Sequence, residues 1–376
     1  MKKTAIRRII LSGVIFMFFL VGYGQSRKEI SIPNIKDYIT LKCDFHMHTV
    51  FSDGQVWPVV RVEEAWAQGL DAISITDHLE YRPNKKEIEA DHNRSYNLAL
   101  GAAEKSGLLL VKGTEITKDM PPGHLNALFI KDANLIENNN PRKALKAAHE
   151  QGAFVFWNHP GWVRQAPDSA IWYEEHTYLH NQDWFQGMEI FNSTQSYGNK
   201  VYGWAYSKNL AVLANSDIHG LVGLKYDLYN SHRPMTLVFA KEKSLEALKE
   251  ALFARRTAAY FNDTIIGHKE HLTDLFNASL KISGQKQEIR KNKTVFLQIY
   301  NHSDIDYELF LIEESDNFQA PGHIILKAHK TTIFAVRGLT NKINITTEIN
   351  IPYRLRNMIA LPGKNLEVNI ELHNIR

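Results

Sequence analysis

Short apolar runs recur along residues 38–262, and segments with a helical spacing of apolar residues lie between them. The runs have the usual length of buried strands. We predict strands at 38–45, 70–76, 108–111, 125–130, 153–157, 187–192, 211–214 and 235–239. Helical spacing predicts helices at 57–67, 141–150, 204–209 and 244–255, among others. Strands that alternate with helices predict an α/β fold built on a parallel sheet or barrel.

The periodicity changes at residues 267–293, a polar and mixed stretch that we predict to be a boundary between domains. Beyond it, strands are predicted at 294–299, 307–312, 323–326, 331–336 and 366–372, with no helix between them. Turn-forming Asn, Asp, Pro and Gly residues separate these strands, as in a β-sandwich. We therefore predict an α/β domain over residues 26–280. A small β-sandwich-like domain, structural or an interaction surface, would follow over 281–376.

The first 25 residues have the pattern of a secretory signal peptide. An apolar run at 9–21 follows a basic start made of Lys2, Lys3, Arg7 and Arg8. The run is short for a helix that spans a membrane. We expect residues 1–25 to be removed from a periplasmic or secreted protein that keeps no stable membrane anchor. The alternative is an uncleaved N-terminal anchor.

Composition and charge narrow the class of partner. The net charge is +3, and acids and bases are mixed along the chain. The sequence has no basic run, so we expect no binding to duplex nucleic acid and a small molecule as the partner. The single cysteine, Cys43, cannot form an internal disulfide, and its place in the first strand predicts a small buried side chain.

Residues of the kinds that bind metal ions stand at the ends of the predicted strands. His46 and His48 are one residue apart, so on a strand both side chains point to the same face. The others are Asp53, His78, Glu115, His159, Asp217 and His219. Each has an ordinary alternative, such as a helix cap for Glu115 or a turn for His159. Because the carboxyl ends of barrel strands meet at one mouth, the repeated position predicts a single metal site.

The chemistry of this donor set points to hydrolysis. Imidazole and carboxylate ligands without cysteine suit zinc, manganese or iron. Two such ions at a cleft activate water and neutralise charge on a phosphoryl oxygen. The pattern fits hydrolysis better than redox chemistry or structural zinc.

Five motifs, in order along the chain, resemble those of the PHP (polymerase and histidinol phosphatase) family. They are Asp-Phe-His46-Met-His48 with Ser-Asp53-Gly, Ile-Thr-Asp77-His78, Gly-Thr-Glu115, Asn-His159-Pro-Gly and Ser-Asp217-Ile-His219. The resemblance covers residues 38–262 and implies a distorted (β/α)7 barrel with metal-dependent phosphoesterase activity. It implies a first ion bound by His46, His48 and Asp217 with Glu115 as bridging ligand, and a second ion bound by Asp53, His78 and His219.

The resemblance also implies roles for residues around the two ions. His159 joins the cluster through Glu115 or faces the substrate. Trinuclear members have a further histidine after the next strand, whereas residues 125–132 contain none, so we expect two ions rather than three. His124 matches a position that contacts phosphate in binuclear relatives, which implies substrate binding or acid–base work.

The expected reaction is attack on phosphorus by a metal-bridging hydroxide, with His124 or His159 protonating the leaving oxygen. Arg164 is a candidate clamp for a phosphate oxygen or a surface arginine, and Asn192 is a candidate substrate contact or turn residue. The C-terminal region resembles that of phosphodiesterase-like PHP proteins, which implies phosphodiesters or nucleotides as substrates. The alternatives are an amide or lactone hydrolase and a secreted metal-binding protein without catalysis.

Overall fold

The computed structural model describes residues 26–88, 90–340 and 348–374. The predicted signal peptide, residues 1–25, lies outside the described residues. Within these ranges, no helix is both long and apolar enough to cross a lipid bilayer.

The N-terminal domain alternates strands and helices, as the sequence predicts. Its strands are β1 (Ile39–Asp44), β2 (Ala72–Ile75), β3 (Leu109–Ile116), β4 (Leu125–Leu128), β5 (Phe154–Trp157), β6 (Gly187–Asn192), β7 (Gln195–Ser196), β8 (Ala211–Asn215), β9 (Met235–Ala240), β10 (Thr257–Phe261) and β11 (Thr264–Gly267). Its helices are α1 (Pro58–Ala67), α2 (Arg94–Ser106), α3 (Pro141–Glu150), α4 (Glu174–Asn181), α5 (Gly198–Ser207), α6 (Val222–Lys225), α7 (Leu245–Phe253) and α8 (Lys269–Ser279). A 3₁₀ turn covers Ala133–Leu135.

Local sequence signals set the ends of several helices. Pro141 begins α3, and the side chain of Asn140 caps it by accepting a backbone hydrogen bond at 3.1 Å. Ser244 caps α7 in the same way, also at 3.1 Å. Gly107 ends α2 with φ +67°, a conformation that glycine adopts readily. These residues set where the three helices begin or end.

The sheet of this domain is mixed rather than parallel. β1, β2 and β3 are parallel neighbours, and so are β5, β6 and β8. β4 lies between the two groups and runs antiparallel to both β3 and β5. The expectation of a parallel sheet is therefore correct only in part. Residues 117–124 join β3 to β4, and this connection is too short for the crossover helix that a parallel pair needs.

This topology gathers the candidate site at one edge of the sheet. The carboxyl ends of the six parallel strands share that edge, and the amino end of antiparallel β4 lies there too. β9 and β10 continue the sheet beyond β1 as antiparallel strands. One buried apolar cluster includes Phe45, Phe154 and Leu213 together with Cys43, which is buried as predicted.

The C-terminal domain is built from two packed sheets. Its strands are β12 (Leu280–Ser283), β13 (Lys286–Gln287), β14 (Thr294–Asn301), β15 (Tyr307–Leu311), β16 (Phe318–Gln319), β17 (His323–Leu326), β18 (Thr331–Gly338), β19 (Glu348–Leu361) and β20 (Lys364–Asn374). In β14, buried Val295, Leu297 and Ile299 alternate with exposed residues, as expected for a strand with one face on a core. β19 pairs in parallel with β11, so one of the sheets continues into the N-terminal domain.

The junction between the domains differs from the sequence prediction. Residues 257–267 form the hairpin β10–β11, and α8 lies inside the stretch predicted to be a polar boundary. Leu272, Leu275 and Phe276 have helical spacing within that polar run, and all three are buried. β19 was not predicted either, because arginine and asparagine residues separate its buried apolar positions.

Candidate metal centre

The first donors come from two chain segments that run side by side past the ends of β1 and β8. Met47 and Ile218 form an isolated parallel bridge, and His48 N donates to Ile218 O at 3.0 Å. Asp217 N donates to His46 O at 2.8 Å. Asp217 has φ +47°, an unusual conformation for a residue other than glycine and one that recurs at functional sites. The backbone therefore holds His46, His48 and Asp217 over the edge of the sheet.

Four side chains converge between these segments. Asp217 Oδ1 lies 3.2 Å from His46 Nε2 and 3.1 Å from His48 Nε2. Glu115 Oε2, at the end of β3, lies 3.2 Å and 3.3 Å from the same two nitrogens. His46, His48 and Glu115 are fully buried. We call these four side chains site 1.

A second group lies beside site 1 and is open to solvent. Asp53 Oδ2 is 3.2 Å from His219 Nε2, and Asp53 Oδ1 is 3.6 Å from His78 Nε2. His48 stands between the groups, with ring centroids 4.2 Å from His219 and 4.5 Å from His78. The side chains of His219 and Asp53 are 36% and 22% exposed, so this is the side from which a substrate can approach. We call Asp53, His78 and His219 site 2.

The second oxygen of Glu115 faces two further histidines. Oε1 lies 2.8 Å from His124 Nδ1 and 3.7 Å from His159 Nε2. His124 precedes β4, and His159 follows β5 with φ +30°. His159 Nδ1 is buried and has no hydrogen-bond partner among the described residues. All eight predicted ligands and His124 therefore lie in one cluster around Glu115.

The separations between donor atoms fit bound cations. Two ligands that bind zinc at about 2.1 Å in tetrahedral geometry lie about 3.4 Å apart. The separations quoted for sites 1 and 2 run from 3.1 to 3.6 Å. The donors are imidazoles and carboxylates, a set that suits zinc, manganese or iron. The residues present therefore fit the divalent ions that the sequence predicts.

Electrostatics keeps the two carboxylates of site 1 ionised. Burial raises the pKa of Glu115, but imidazoles led by His78 outweigh it and hold that pKa well below its usual range. The pKa of Asp217 is likewise low, because imidazoles led by His46 outweigh its burial. Burial lowers the pKa of His48 to about 4. Near pH 7 both carboxylates are therefore ionised and His48 is neutral, as metal ligands must be. The carboxylates outweigh burial at the other rings, so that Asp217 raises the pKa of His46 and Glu115 raises that of His78 to about 9, and bound cations must displace protons from these two histidines.

Glu189 supports site 1 and was not predicted from the sequence. It is fully buried in β6. Its Oε1 lies 2.9 Å from His46 Nδ1, and its Oε2 accepts hydrogen bonds from Asn192 Nδ2 at 2.8 Å and His159 N at 2.7 Å. A carboxylate on the far nitrogen of a ligating histidine fixes the tautomer and the direction of the ring. The one sequence signal was a glutamate inside a strand of otherwise uncharged residues.

Asp77 holds the loop that carries Asp53. Its carboxylate accepts hydrogen bonds from Thr49 N at 2.7 Å and from Thr49 Oγ1 at 2.6 Å. Gly54 packs so closely on the same loop that a Cβ at this position would lie 2.5 Å from the carbonyl carbon of His48. Asp77 is thus a positioning residue, and the tight turn at Gly54 places Asp53 beside His48.

Arg61 joins the segments that carry donors of both sites. Its side chain is fully buried on α1, where it pairs with Glu64 at 2.8 Å. The guanidinium donates to His48 O at 2.9 Å, His219 O at 2.8 Å and Gly220 O at 2.7 Å. No pattern in the sequence predicts this role, because a basic residue on an amphipathic helix usually faces solvent.

The two predicted substrate contacts occupy different surroundings. Arg164 is exposed, and its guanidinium lies 5.6 Å from the ring centre of Trp162, which is 5.5 Å from the ring of His124. Asn192 is buried, and its amide donates to Glu189 at 2.8 Å. Asn192 therefore makes a positioning contact in this structure. Substrate binding by Arg164 or Asn192 stays a prediction.

The fold and the donor cluster define a protein with an α/β domain, a candidate metal centre at its sheet edge and a C-terminal β-domain. Residues 280–371 match a family model described as an Ig-like domain. The structure is similar to that of a two-domain protein from Bacteroides vulgatus described as containing a predicted PHP-like metal-dependent phosphoesterase. The two are 42% identical, with a TM-score of 0.87 over 93% of this chain and 100% of that one. The chain therefore belongs to the family of PHP-like metal-dependent phosphoesterases.

A shorter match exists to a curated protein. An uncharacterized protein of Methanocaldococcus jannaschii is 45% identical over 97 residues, or 25% of this chain. The chain covers 42% of the length of that relative, less than two thirds of it. This similarity supports no statement on substrate.

Proposed function

We propose that this protein is a phosphodiesterase that uses two divalent metal ions. The observation that carries the proposal is the position of Glu115 Oε2, which lies 3.2 Å from His46 Nε2 of site 1 and 3.2 Å from His78 Nδ1 of site 2, so this carboxylate faces both sites. Six further donors surround it: His46, His48, His78 and Asp217 lie nearest, and Asp53 and His219 of site 2 lie on the solvent side. A carboxylate shared in this way is suited to bridge neighbouring cations at a hydrolytic centre.

Each of sites 1 and 2 would hold one ion. When bound, divalent ions lower the pKa of water and neutralise charge that develops on phosphoryl oxygens. The protein positions the donors: Glu115 and Asp217, both ionised, define the first position, and Asp53 defines the second. His46, His48 and Glu115 of site 1 are fully buried, so the partly exposed Asp53 and His219 of site 2 mark the side from which water and substrate would enter.

His124 is the proposed proton donor to the leaving oxygen. Its Nδ1 lies 2.8 Å from Glu115 Oε1, which is the separation of a hydrogen bond and shorter than that expected between two ligands of one ion. A carboxylate on one ring nitrogen orients the imidazole and leaves the other nitrogen for proton transfer. His159, at 3.7 Å from the same oxygen, would contact either the first ion or the substrate.

The charge around the opening favours a phosphodiester over a monoester. In the part of the chain that the structure describes, the ion pairs of Asp53, Glu115 and Asp217 are all with histidine. Among the described residues, no lysine or arginine pairs with these carboxylates inside the donor cluster, so the second negative charge of a phosphomonoester would meet no such side chain there. Arg164, exposed beside Trp162, supplies one positive charge near His124.

We further propose that the strands β1 to β6 and β8 close into the distorted seven-stranded barrel that the family resemblance implies. The parallel bridge between Met47 and Ile218 joins the first and last of these strands at the metal centre. Deeper along β8, two backbone N–H groups donate to the hydroxyls of Thr236 and Thr257, at 3.0 Å and 3.2 Å. These contacts satisfy polar groups that an open sheet edge would leave unpaired.

The substrate class is tested with three chromogenic compounds on metal-loaded protein. We expect kcat/KM for bis(4-nitrophenyl) phosphate to exceed that for 4-nitrophenyl phosphate by about tenfold or more, with no hydrolysis of 4-nitroacetanilide. His46→Ala and Asp217→Asn should each lower kcat/KM by about a hundredfold or more. Hydrolysis of the anilide alone would identify an amide hydrolase, and metal binding without any turnover would identify the non-catalytic alternative.

A further inference from the structure

Exposed apolar side chains surround the opening of the metal centre. The large ones near it, with their exposed fractions, are Trp57 (54%), Tyr81 (53%), Val163 (60%), Leu221 (44%) and Leu224 (85%). Each lies a few residues beyond a donor at the end of a strand. They occupy four spans, 55–57, 81–86, 162–165 and 220–225, which we call the rim segments.

Contacts with the donors place the rim segments on the same face of the protein. Gln55 N donates to His219 O at 2.8 Å, which joins the first segment to the fourth. The ring of Tyr81 lies 5.8 Å from that of His78. The ring of Trp162 lies 5.2 Å from that of His159. Since the donors form one cluster, the apolar side chains of all four segments encircle one opening.

The rim segments are basic as well as apolar. They contain Arg82, Lys85, Lys86, Arg164 and Lys225, and no aspartate or glutamate, whereas the whole chain has 44 bases and 41 acids. Four of the five, all except Arg82, are exposed. None of these four forms an ion pair with a carboxylate in residues 26–88, 90–340 or 348–374. Their charge is therefore free to meet an anionic partner.

We propose that the rim segments dock on an anionic lipid surface and hold the metal centre against it. Large apolar side chains on separate short segments, interspersed with bases, suit insertion among lipid headgroups, where tryptophan and tyrosine concentrate. Lysine and arginine nearby are attracted by the negative surface potential. A protein partner would instead need a continuous, well-packed apolar core. The docking is independent of the proposed phosphodiesterase activity.

Vesicle binding tests the proposal directly. Protein starting at residue 26 retains every described element and lacks the apolar run at 9–21, which would itself bind lipid. The protein is first treated with chelator, so that no metal ion binds headgroup phosphate. It is then sedimented with neutral vesicles of phosphatidylcholine and, separately, with anionic vesicles that also contain 30 mol% phosphatidylglycerol. We expect the partition coefficient for the anionic vesicles to exceed that for the neutral vesicles by about tenfold or more, and high salt should reduce this difference.

Two double variants separate the contribution of the apolar side chains of the rim segments from the contribution of their positive charges. Val163→Ser with Leu224→Ser removes two apolar side chains, and Arg164→Glu with Lys225→Glu reverses two charges. Each pair should weaken partition onto anionic vesicles by about tenfold or more. Tyr206→Ser and Lys105→Glu are the matched controls, since both residues are exposed at helix ends that lead into the starts of β8 and β3, away from the opening. The controls should bind like the wild type.

Three results would overturn the proposal. The first is no binding of the wild type to anionic vesicles, and the second is equal binding of the rim variants and the wild type. The third is self-association of the wild type in sedimentation velocity that the rim variants lose while their binding to vesicles is unchanged. That result would show that the rim segments form a protein interface. Because turnover is not measured, failure here leaves the proposed hydrolysis unaffected.

Discussion

Glu189 Oε1 lies 2.9 Å from Nδ1 of His46, on the edge of the imidazole ring opposite Nε2. The other nitrogen, Nε2, faces the oxygens of Asp217 and Glu115, both at 3.2 Å. The carboxylate of Glu189 therefore orients the ring of His46 through Nδ1, while Nε2 faces the carboxylates of Asp217 and Glu115. Glu189 also accepts a hydrogen bond from His159 N, so one buried side chain positions donors from two strands.

Glu189→Gln should weaken metal binding at site 1. The amide keeps the size of the side chain but loses the charge that orients His46, and loss of such a partner typically lowers metal affinity about 10- to 100-fold. Competition with a chromogenic chelator measures the change. Glu308→Gln is the control, because Glu308 pairs with His323 at 3.1 Å in the C-terminal domain. Equal affinities of the two variants would contradict the assigned role.

Arg61→Lys should loosen both sites together. A lysine cannot reach the carbonyls of His48, His219 and Gly220 at once, and each buried carbonyl left unpaired costs about 1–3 kcal/mol. We expect a loss of about 3 kcal/mol in the free energy of unfolding and weaker binding of both ions.

Arg256→Lys is the control for Arg61→Lys. Arg256 is also buried, but it pairs with Glu250 and donates to Phe239 O at 3.0 Å, away from the donors. This variant should lose stability without losing metal affinity. Comparable metal affinities for the two variants would show that Arg61 matters for stability alone.

Gly54→Ala should disturb site 2 through the backbone. The added Cβ would lie 2.5 Å from His48 C and from Thr49 N, so the loop that carries Asp53 must move. We expect a loss of about 2 kcal/mol or more in the free energy of unfolding, with weaker binding of the second ion. Gly203→Ala on α5 is the control, because its Cβ meets nothing within 4 Å, and it should stabilise by about 0.5–1 kcal/mol. Wild-type metal affinity in Gly54→Ala would show that the tight turn at Gly54 is not needed to place Asp53 in site 2.

His176 makes stability depend on pH outside the metal centre. Burial lowers its pKa to about 4, and its ring stacks on Trp157 at 3.9 Å. Its Nδ1 accepts a hydrogen bond from Tyr173 N and its Nε2 donates to Pro122 O, so the neutral form is required. Between its unfolded pKa near 6.5 and about 4, the unfolded chain binds a proton that the folded chain does not, so stability falls as pH falls.

Urea unfolding of metal-free protein at pH 7 and pH 5 measures this effect. We expect His176→Gln to remove about 2 kcal/mol of the pH-dependent loss between these values. The control His149→Gln, at an exposed position on α3, should keep the wild-type pH dependence. The same dependence in His176→Gln would show that the imidazole is not held neutral.

The sequence located the residues of the candidate metal centre because their signal is local. His46 and His48 are one residue apart just past β1, and the other candidate ligands stand at or just beyond strand ends, so position along the chain suffices to find them. The residues that hold the donors have no such signal. Glu189 and Arg61 reach donors that are far away in sequence, and only the folded chain brings them together.

Strand direction was the part of the fold that patterning could not supply. An apolar run at 125–130 has the same composition whichever way it points, and the short connection from β3 makes it antiparallel. That reversal is what brings His124 to the metal centre from the start of β4 rather than from its end. The junction was missed for a related reason: α8 and β19 bury regularly spaced apolar residues within polar sequence.

The most direct test of the account is a titration of chelator-treated protein with Mn²⁺ while hydrolysis of bis(4-nitrophenyl) phosphate is followed. We predict no hydrolysis without metal, and activity that rises with added ion and saturates at two equivalents. Saturation at three would make His124 a ligand instead of a proton donor. Full activity in the metal-free protein, or no tight binding of any divalent ion, would contradict the central claim that this cluster is a hydrolytic metal centre.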